Sequence, residues 1–260
     1  MKRFLVAIAF PLLLIPLAAC SQGGTDTNKS AAPAANTTAA GAAPDALTAD
    51  PGHYEVMFEN DAARLIRIKY PAGAKSVMHN HPAGCGIFLV DQKFKFTMAS
   101  GEDQTVENHA GDVTCGDMEN HLPQNAGDKD AELVLLELKN RKTFDNVQTG
   151  RSITIPSKRN VSDAVTADPK HYSVQFENDA VRVVRIKTMP GEKTPMHAHP
   201  ANCTITLTDD TDRDSSGKLT EIKAGTVDCS DALSHSGQNL ATHPVEVILI
   251  EFKNREKFKA

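Results

Sequence analysis

The apolar and polar positions of this chain fall into short runs without a helical period. Lys93-Phe-Lys-Phe-Thr-Met98 alternates, with Phe94, Phe96 and Met98 on one face and Lys93, Lys95 and Thr97 on the other. That two-residue period is the mark of a strand buried on one side. Val247-Ile-Leu-Ile250 shows no alternation and reads as a more fully buried strand. Gly, Asn, Asp and Pro separate such runs along the chain, so the pattern predicts a many-stranded antiparallel fold.

The pattern is also written twice. Ala49–Lys69 (ADPGHYEVMFENDAARLIRIK) returns as Ala167–Lys187 (ADPKHYSVQFENDAVRVVRIK). Each copy continues with a Gly, five residues and His-x-His-Pro-Ala: Gly73 to His79 and His81, Gly191 to His197 and His199. Cys115 and His121-Leu-Pro-Gln-Asn125 are echoed by Cys229 and His235-Ser-Gly-Gln-Asn239, and Glu137-Leu-Lys by Glu251-Phe-Lys. A period of about 115 residues gives each copy room for its own core, so the repeat means two duplicated domains and not a solenoid.

These motifs resemble the cupin superfamily. Its first motif opens Gly-x5-His-x-His and its second closes His-x3-Asn; both occur here, in order, twice. Glu59-Asn-Asp-x-x-Arg64 and the closing Glu-x-Lys are similar to small single-domain cupins. The resemblance spans everything except the first part of the chain. It implies an all-β protein of two tandem antiparallel cupin-type β-barrels (jelly rolls), at 48–145 and 163–260, joined by a linker at 146–162. One departure stands out: four residues after the second His, where the family has Glu, the chain has Cys85 and Cys203.

Side chains two apart on a strand share a face, so each His-x-His aims two imidazoles at one point. A third from a neighbouring strand would complete the sets His79, His81, His121 and His197, His199, His235. Neutral imidazole suits a divalent transition metal such as Zn, Mn, Fe, Cu or Ni, and three protein ligands leave a position open. Unperturbed imidazoles would lose such an ion as pH drops through about 6. Histidines at a barrel mouth without metal are the alternative. His53, His109, His171 and His243 lack this spacing and read as surface or turn residues. Asn125 and Asn239 read as caps of the turn leaving their strand.

Two cysteines per copy remain. Strand parity counted from His81 and His199 turns Cys85 and Cys203 into the barrels, and Cys115 and Cys229, two residues after Val113 and Val227, face the same way. The resemblance brings the two motif strands together, which implies the disulfides Cys85–Cys115 and Cys203–Cys229 with Cα atoms about 4.4–6.8 Å apart. Thiolates joining the histidines as soft ligands are the competing arrangement.

Residues 1–20 read as a secretory signal: Lys2 and Arg3, an apolar run, then Leu17-Ala-Ala-Cys20. The ending resembles the lipobox of bacterial lipoproteins, which implies lipidation at Cys20 and a lipid-anchored, periplasm-facing place in the cell envelope, at the outer membrane if the cell is Gram-negative. Residues 21–47 are rich in Ala, Thr, Gly and Asn and read as a flexible tether. With 28 Lys and Arg against 33 Asp and Glu, the formal net charge is −5. No basic patch appears, so nucleic acid is not an expected partner.

Asp210, Asp212, Asp214 and Glu221 imitate the calcium spacing of an EF-hand, but Ser215 stands where Gly is required. Asp209–Gly217 reads instead as a solvated hairpin loop. The expected function is a bicupin that binds a metal in each barrel and acts on or sequesters a small polar or carboxylated molecule, with a non-catalytic binding or structural barrel as the alternative. Glu102, Glu107 and Glu119 are the nearest candidate proton-handling groups. Homodimerisation is left open.

Overall fold

The computed structural model describes residues 43–147, 153–213 and 217–258. Cys20, the signal segment and most of the tether lie outside the described residues. Each half starts with one capped helical turn, α1 (Ala46–Ala49) and α2 (Ala164–Ala167). The carboxylates of Asp45 and Asp163 accept from the backbone N–H groups of Leu47 and Thr166, satisfying donors that a helix start leaves open. Ala46, which the sequence places in the tether, is fully buried. The folded body therefore begins earlier than composition suggests.

In the first half follow β1 (Tyr54–Glu59), β2 (Ala63–Tyr70), β3 (His79–His81), β4 (Gly84–Phe88), β5 (Gln92–Met98), β6 (Asp103–Asn108), β7 (Val113–Gly116), β8 (Glu119–Asn125) and β9 (Ala131–Leu138). In the second follow β10 (Tyr172–Glu177), β11 (Val181–Thr188), β12 (His197–His199), β13 (Asn202–Thr206), β14 (Asp210–Arg213), β15 (Leu219–Ile222), β16 (Val227–Ser230), β17 (Leu233–His235) and β18 (Val245–Phe252). The first half pairs them as β1-β2-β9-β4-β7 facing β3-β8-β5-β6. The second repeats the five-stranded sheet as β10-β11-β18-β13-β16 but divides the other into β12-β17 and β14-β15. Strand pairing is antiparallel throughout these sheets. The alternating Lys-Phe run is strand, as its period requires. Asp210–Arg213, expected in a loop, is a strand paired with Leu219–Ile222; of that acidic run, residues 214–216 lie outside the described residues.

Residues of β2, β4 and β9 alternate between two apolar environments. Ile66, Ile68 and Leu135 look into the first barrel, whereas Leu65, Val134 and Leu136 join Val183, Ile205, Ile248 and Ile250 of the second half in one buried cluster. This seam holds the two five-stranded sheets together. Charged groups close its rim in reciprocal pairs: Arg141 with Asp179, Arg255 with Asp61. Arg67 reaches the carbonyl of Gly225, and Arg185 that of Gly111.

Both disulfides form as expected, but not where expected. Cys85 faces Cys115 and Cys203 faces Cys229 across strand pairs, with Cα separations of 4.0 and 4.1 Å, just below the predicted range. Cys85 and Cys203 do not look into the barrels; they are fully buried in the seam. Pro82-Ala83 carries the chain from the sheet of β3 to the sheet of β4, so counting parity from His81 fails there. The linker is also less free than its composition suggests. Ile153 and Ile155 are buried against Ala198 of the second barrel.

The bonds close loops with sequence separations of 30 and 26 residues, a restriction of the unfolded chain on the order of 3–4 kcal/mol each. Replacing Cys85 and Cys115 together by Ala should lower the unfolding free energy by about 3 kcal/mol in urea titration. An unchanged midpoint would show that the seam holds that strand pair without the bond.

Candidate metal centres

Each site is built on a three-residue strand whose first and last residues point inward. Gly73 and Gly191, which open the motif, turn the chain at φ +75° and +78°, a left-handed conformation that favours glycine. In β3 and β12 the middle residue faces away, and His79 lies directly across from His121 as His197 does from His235. The sequence-predicted triplets therefore converge: in both barrels the three ligand nitrogens lie within 4.8 Å of one another.

Hydrogen bonding decides which nitrogens face the centre. His79 Nδ1 donates to the carbonyl of Val77 at 2.8 Å, and His81 Nδ1 to Glu137 Oε1 at 2.7 Å. Their Nε2 lone pairs are thereby left for a ligand, and the two atoms sit 3.1 Å apart. Two nitrogens each about 2.1 Å from one ion are separated by about 3.0–3.4 Å. The second barrel copies this: His197 Nδ1 to Pro195 O at 2.7 Å, His199 Nδ1 to Glu251 Oε1 at 2.9 Å, His199 and His235 Nε2 3.2 Å apart. The residues present fit a divalent transition metal. Sulfur takes no part, since all four thiols are in disulfides.

Behind each second histidine runs a charged chain that sequence reasoning did not assemble, fully buried in the second barrel and ending at the partly exposed Asp45 in the first. Glu137 is 1% exposed and Glu251 0%. Their other carboxylate oxygens pair with Arg64 and Arg182, which in turn hold the helix-capping Asp45 and Asp163. Asp–Arg–Glu–His thus ties the start of each repeat to its metal site. The Glu and Arg belong to motifs noted above. The Asp was legible too, because the repeat extends back to Asp45-Ala-Leu-Thr and Asp163-Ala-Val-Thr.

Tyrosines complete the first layer. Tyr54 Oη lies 3.0 Å from His79 Nε2, and Tyr172 Oη 3.1 Å from His197 Nε2. Burial raises both phenol pKa values, so each stays a neutral hydroxyl. Glu119 stands beside His121, 3.2 Å from its Nδ1 without hydrogen-bond geometry. The imidazole contact holds the Glu119 carboxyl below its usual range, against the opposing effect of burial. Glu107 is instead exposed and salt-bridged to Lys93, and Glu102 is exposed on the hairpin. His171, expected at the surface or in a turn, is a turn residue buried between Asp168 and Glu192. Asn125 and Asn239 bind turn carbonyls through Nδ2 and accept from the following loop, as expected of caps.

No protein-family model matches the chain, and no curated protein is similar enough to count as a relative. Among solved structures, AerE from Microcystis aeruginosa aligns with a TM-score of 0.50 at 14% identity, over 77% of this chain and 93% of that one. A cupin 2 conserved barrel domain protein from Leptotrichia buccalis aligns at 0.49 and 12%, over 77% and 88%. Oxalate decarboxylase from Bacillus subtilis gives 0.45 and 12%, over 76% and 70%. Identities this low speak to the fold alone, antiparallel β-barrels in tandem.

Burial, then the neighbouring imidazoles, push His79 down to about 4; the same causes push His235 to about 4. Burial lowers His121 and His197 as well. His235 is an exposed residue, so solvent screens its shift more than that of fully buried His79. Proton competition at His79 thus falls below the pH 6 window of free imidazole. Between about 6.5 and 4 the unfolded chain binds the extra proton at His79, so the metal-free protein should lose this residue's contribution to stability as pH falls through that window. Urea midpoints at pH 7, 5.5 and 4.5 measure this, and His79→Gln should flatten the decline. Glu137→Gln should weaken metal binding in the first barrel about 10–100-fold, read by competition with a chelator, while the second barrel keeps its affinity.

Proposed function

We propose that this is a lipid-anchored, envelope-facing bicupin that binds one divalent transition metal in each barrel and holds a small molecule against the metal of the first. The observation that carries the reading is the convergence of three imidazole nitrogens, twice, with two of the three in each barrel oriented by backbone and carboxylate hydrogen bonds. Zn, Mn, Fe, Cu and Ni all accept this donor set. The anchor rests on the Leu17-Ala-Ala-Cys20 ending. Among the described residues no helix is long and apolar enough to cross a membrane.

A bound divalent ion would supply Lewis-acid polarisation of a ligand oxygen. The chain's own contribution is positional. Tyr54 brings a neutral hydroxyl to within 3.0 Å of His79 Nε2, and Glu119 offers an ionised carboxylate able to accept a proton beside His121. The second barrel has Leu233 at the equivalent strand position, and its third ligand, His235, is exposed. This difference favours a holding or structural role for the second metal.

Metal analysis of the purified protein should give two equivalents per chain and no free thiols. Replacing His79 and His81 by Ala should leave one equivalent, and replacing His197 and His199 should leave the other. Full stoichiometry in either double variant would refute the trihistidine assignment.

A further inference from the structure

The two barrels carry the same histidines but different interiors. The first encloses a cavity of about 370 Å³ that reaches the trihistidine site through His81 and His121. Most of its wall is apolar, including Ile68, Phe88, Phe94, Phe96, Leu133 and Leu135, with polar groups such as Gln104 and Asn108 among the lining. Phe96 packs on the His121 ring with centroids 4.8 Å apart, and Phe94 stacks on Phe96 at 5.6 Å. An aromatic lane thus leads away from the metal ligands. Gly86 keeps it open: a Cβ there would meet the Phe88 ring at 3.3 Å and Leu133 at 3.6 Å.

At the far end is a polar group with nothing to bind. Gln92 lines the cavity and is 9% exposed, and neither Oε1 nor Nε2 has a protein partner. Buried amides in native proteins are almost always paired. Four residues separate Gln92 from Phe96 on one strand face, about 13 Å along β5. The cavity therefore has an oxygen-accepting end at the histidines, an apolar aromatic middle and a hydrogen-bonding end at Gln92.

In the second barrel these features are replaced in register. Gly86, Phe88, Gln92 and Phe94 correspond to Thr204, Thr206, Asp210 and Asp212. The duplication has kept the ligand set in both copies and the aromatic lane in one.

We propose that the first barrel is a binding chamber for a flat, largely apolar aromatic molecule, which presents an oxygen donor to the metal site and a hydrogen-bonding group to Gln92. This names the ligand class for the site proposed above and rests on that reading for the donor end only. It departs from the small polar ligand that the histidine motifs alone suggested, because apolar walls would leave such a molecule's polar atoms unpaired.

Calorimetric titration of the metal-loaded protein with acetate, cinnamate and 4-hydroxycinnamate tests this. Cinnamate should bind at least tenfold more tightly than acetate, and the 4-hydroxyl should add about a further fivefold. Gln92→Leu should erase the hydroxyl increment while leaving cinnamate affinity in place, and Phe94→Asp, checked for folding by its thermal melt, should erase the preference for cinnamate. Equal binding of acetate and cinnamate by a metal-loaded sample would overturn the chamber. So would a hydroxyl increment that survives Gln92→Leu. Metal content is measured on the same samples. Protein that takes up no metal yet binds cinnamate through Phe94 would sink the metal reading and leave the chamber standing.

Discussion

The seam between the two five-stranded sheets is the constraint on which the rest depends. A sheet that is apolar on both faces needs two partners. One face of each is covered by its own barrel interior, and the other is covered only by the second copy. Leu65, Val134 and Leu136 meet Val183, Ile248 and Ile250 there, with both half-cystines Cys85 and Cys203 inside the same cluster. The site strands hang from these sheets: His81 is held by Glu137 of β9, and His199 by Glu251 of β18, the strands that also line the seam. Docking and site geometry are therefore set by the same two strands.

The buried Asp–Arg–Glu–His chains deserve weight because they are costly. Arg182 is 1% exposed, and it sits between Asp163 and Glu251, both almost fully buried. Such arrays add little net stability over an apolar equivalent, yet removing one member strands a buried charge. What they provide here is direction. An imidazole whose Nδ1–H is engaged by a carboxylate presents Nε2 in one orientation and keeps it a good donor. The carboxylate missing four residues after the second histidine has not been replaced as a ligand in the converging sets, which are purely histidine in both barrels. Glu137 and Glu251 act one layer out.

Much of this was legible in the sequence because the repeat works as an internal control. The strands, both histidine triplets and both disulfide pairings follow from features that occur twice. What escaped was local geometry that a period cannot carry. Parity counting failed at Pro82-Ala83, where the chain changes sheets, and so turned Cys85 toward the wrong side. The tyrosines at the metal sites recur in the repeat, but Tyr54 and Tyr172 lie 25 positions before the histidines they touch, so no local spacing tied them to the sites. The acidic run at Asp209 looked too polar for a strand, yet Asp210–Arg213 pairs in a hairpin whose side chains are mostly solvated. Helical turns of four residues fall below any detectable period.

The seam also divides the molecule's history into two regimes. On the outward faces each copy is bound to the other by reciprocal pairs, Arg141 to Asp179 and Arg255 to Asp61, so a change on one side asks for an answering change on its twin. The lumens carry no such mutual obligation. A barrel's interior answers only to what it encloses, and there the copies differ: Gly86 and Phe88 in one, Thr204 and Thr206 in the other. A duplicated fold joined back to back in this way lets one half drift in chemistry while its partner keeps the shape of both.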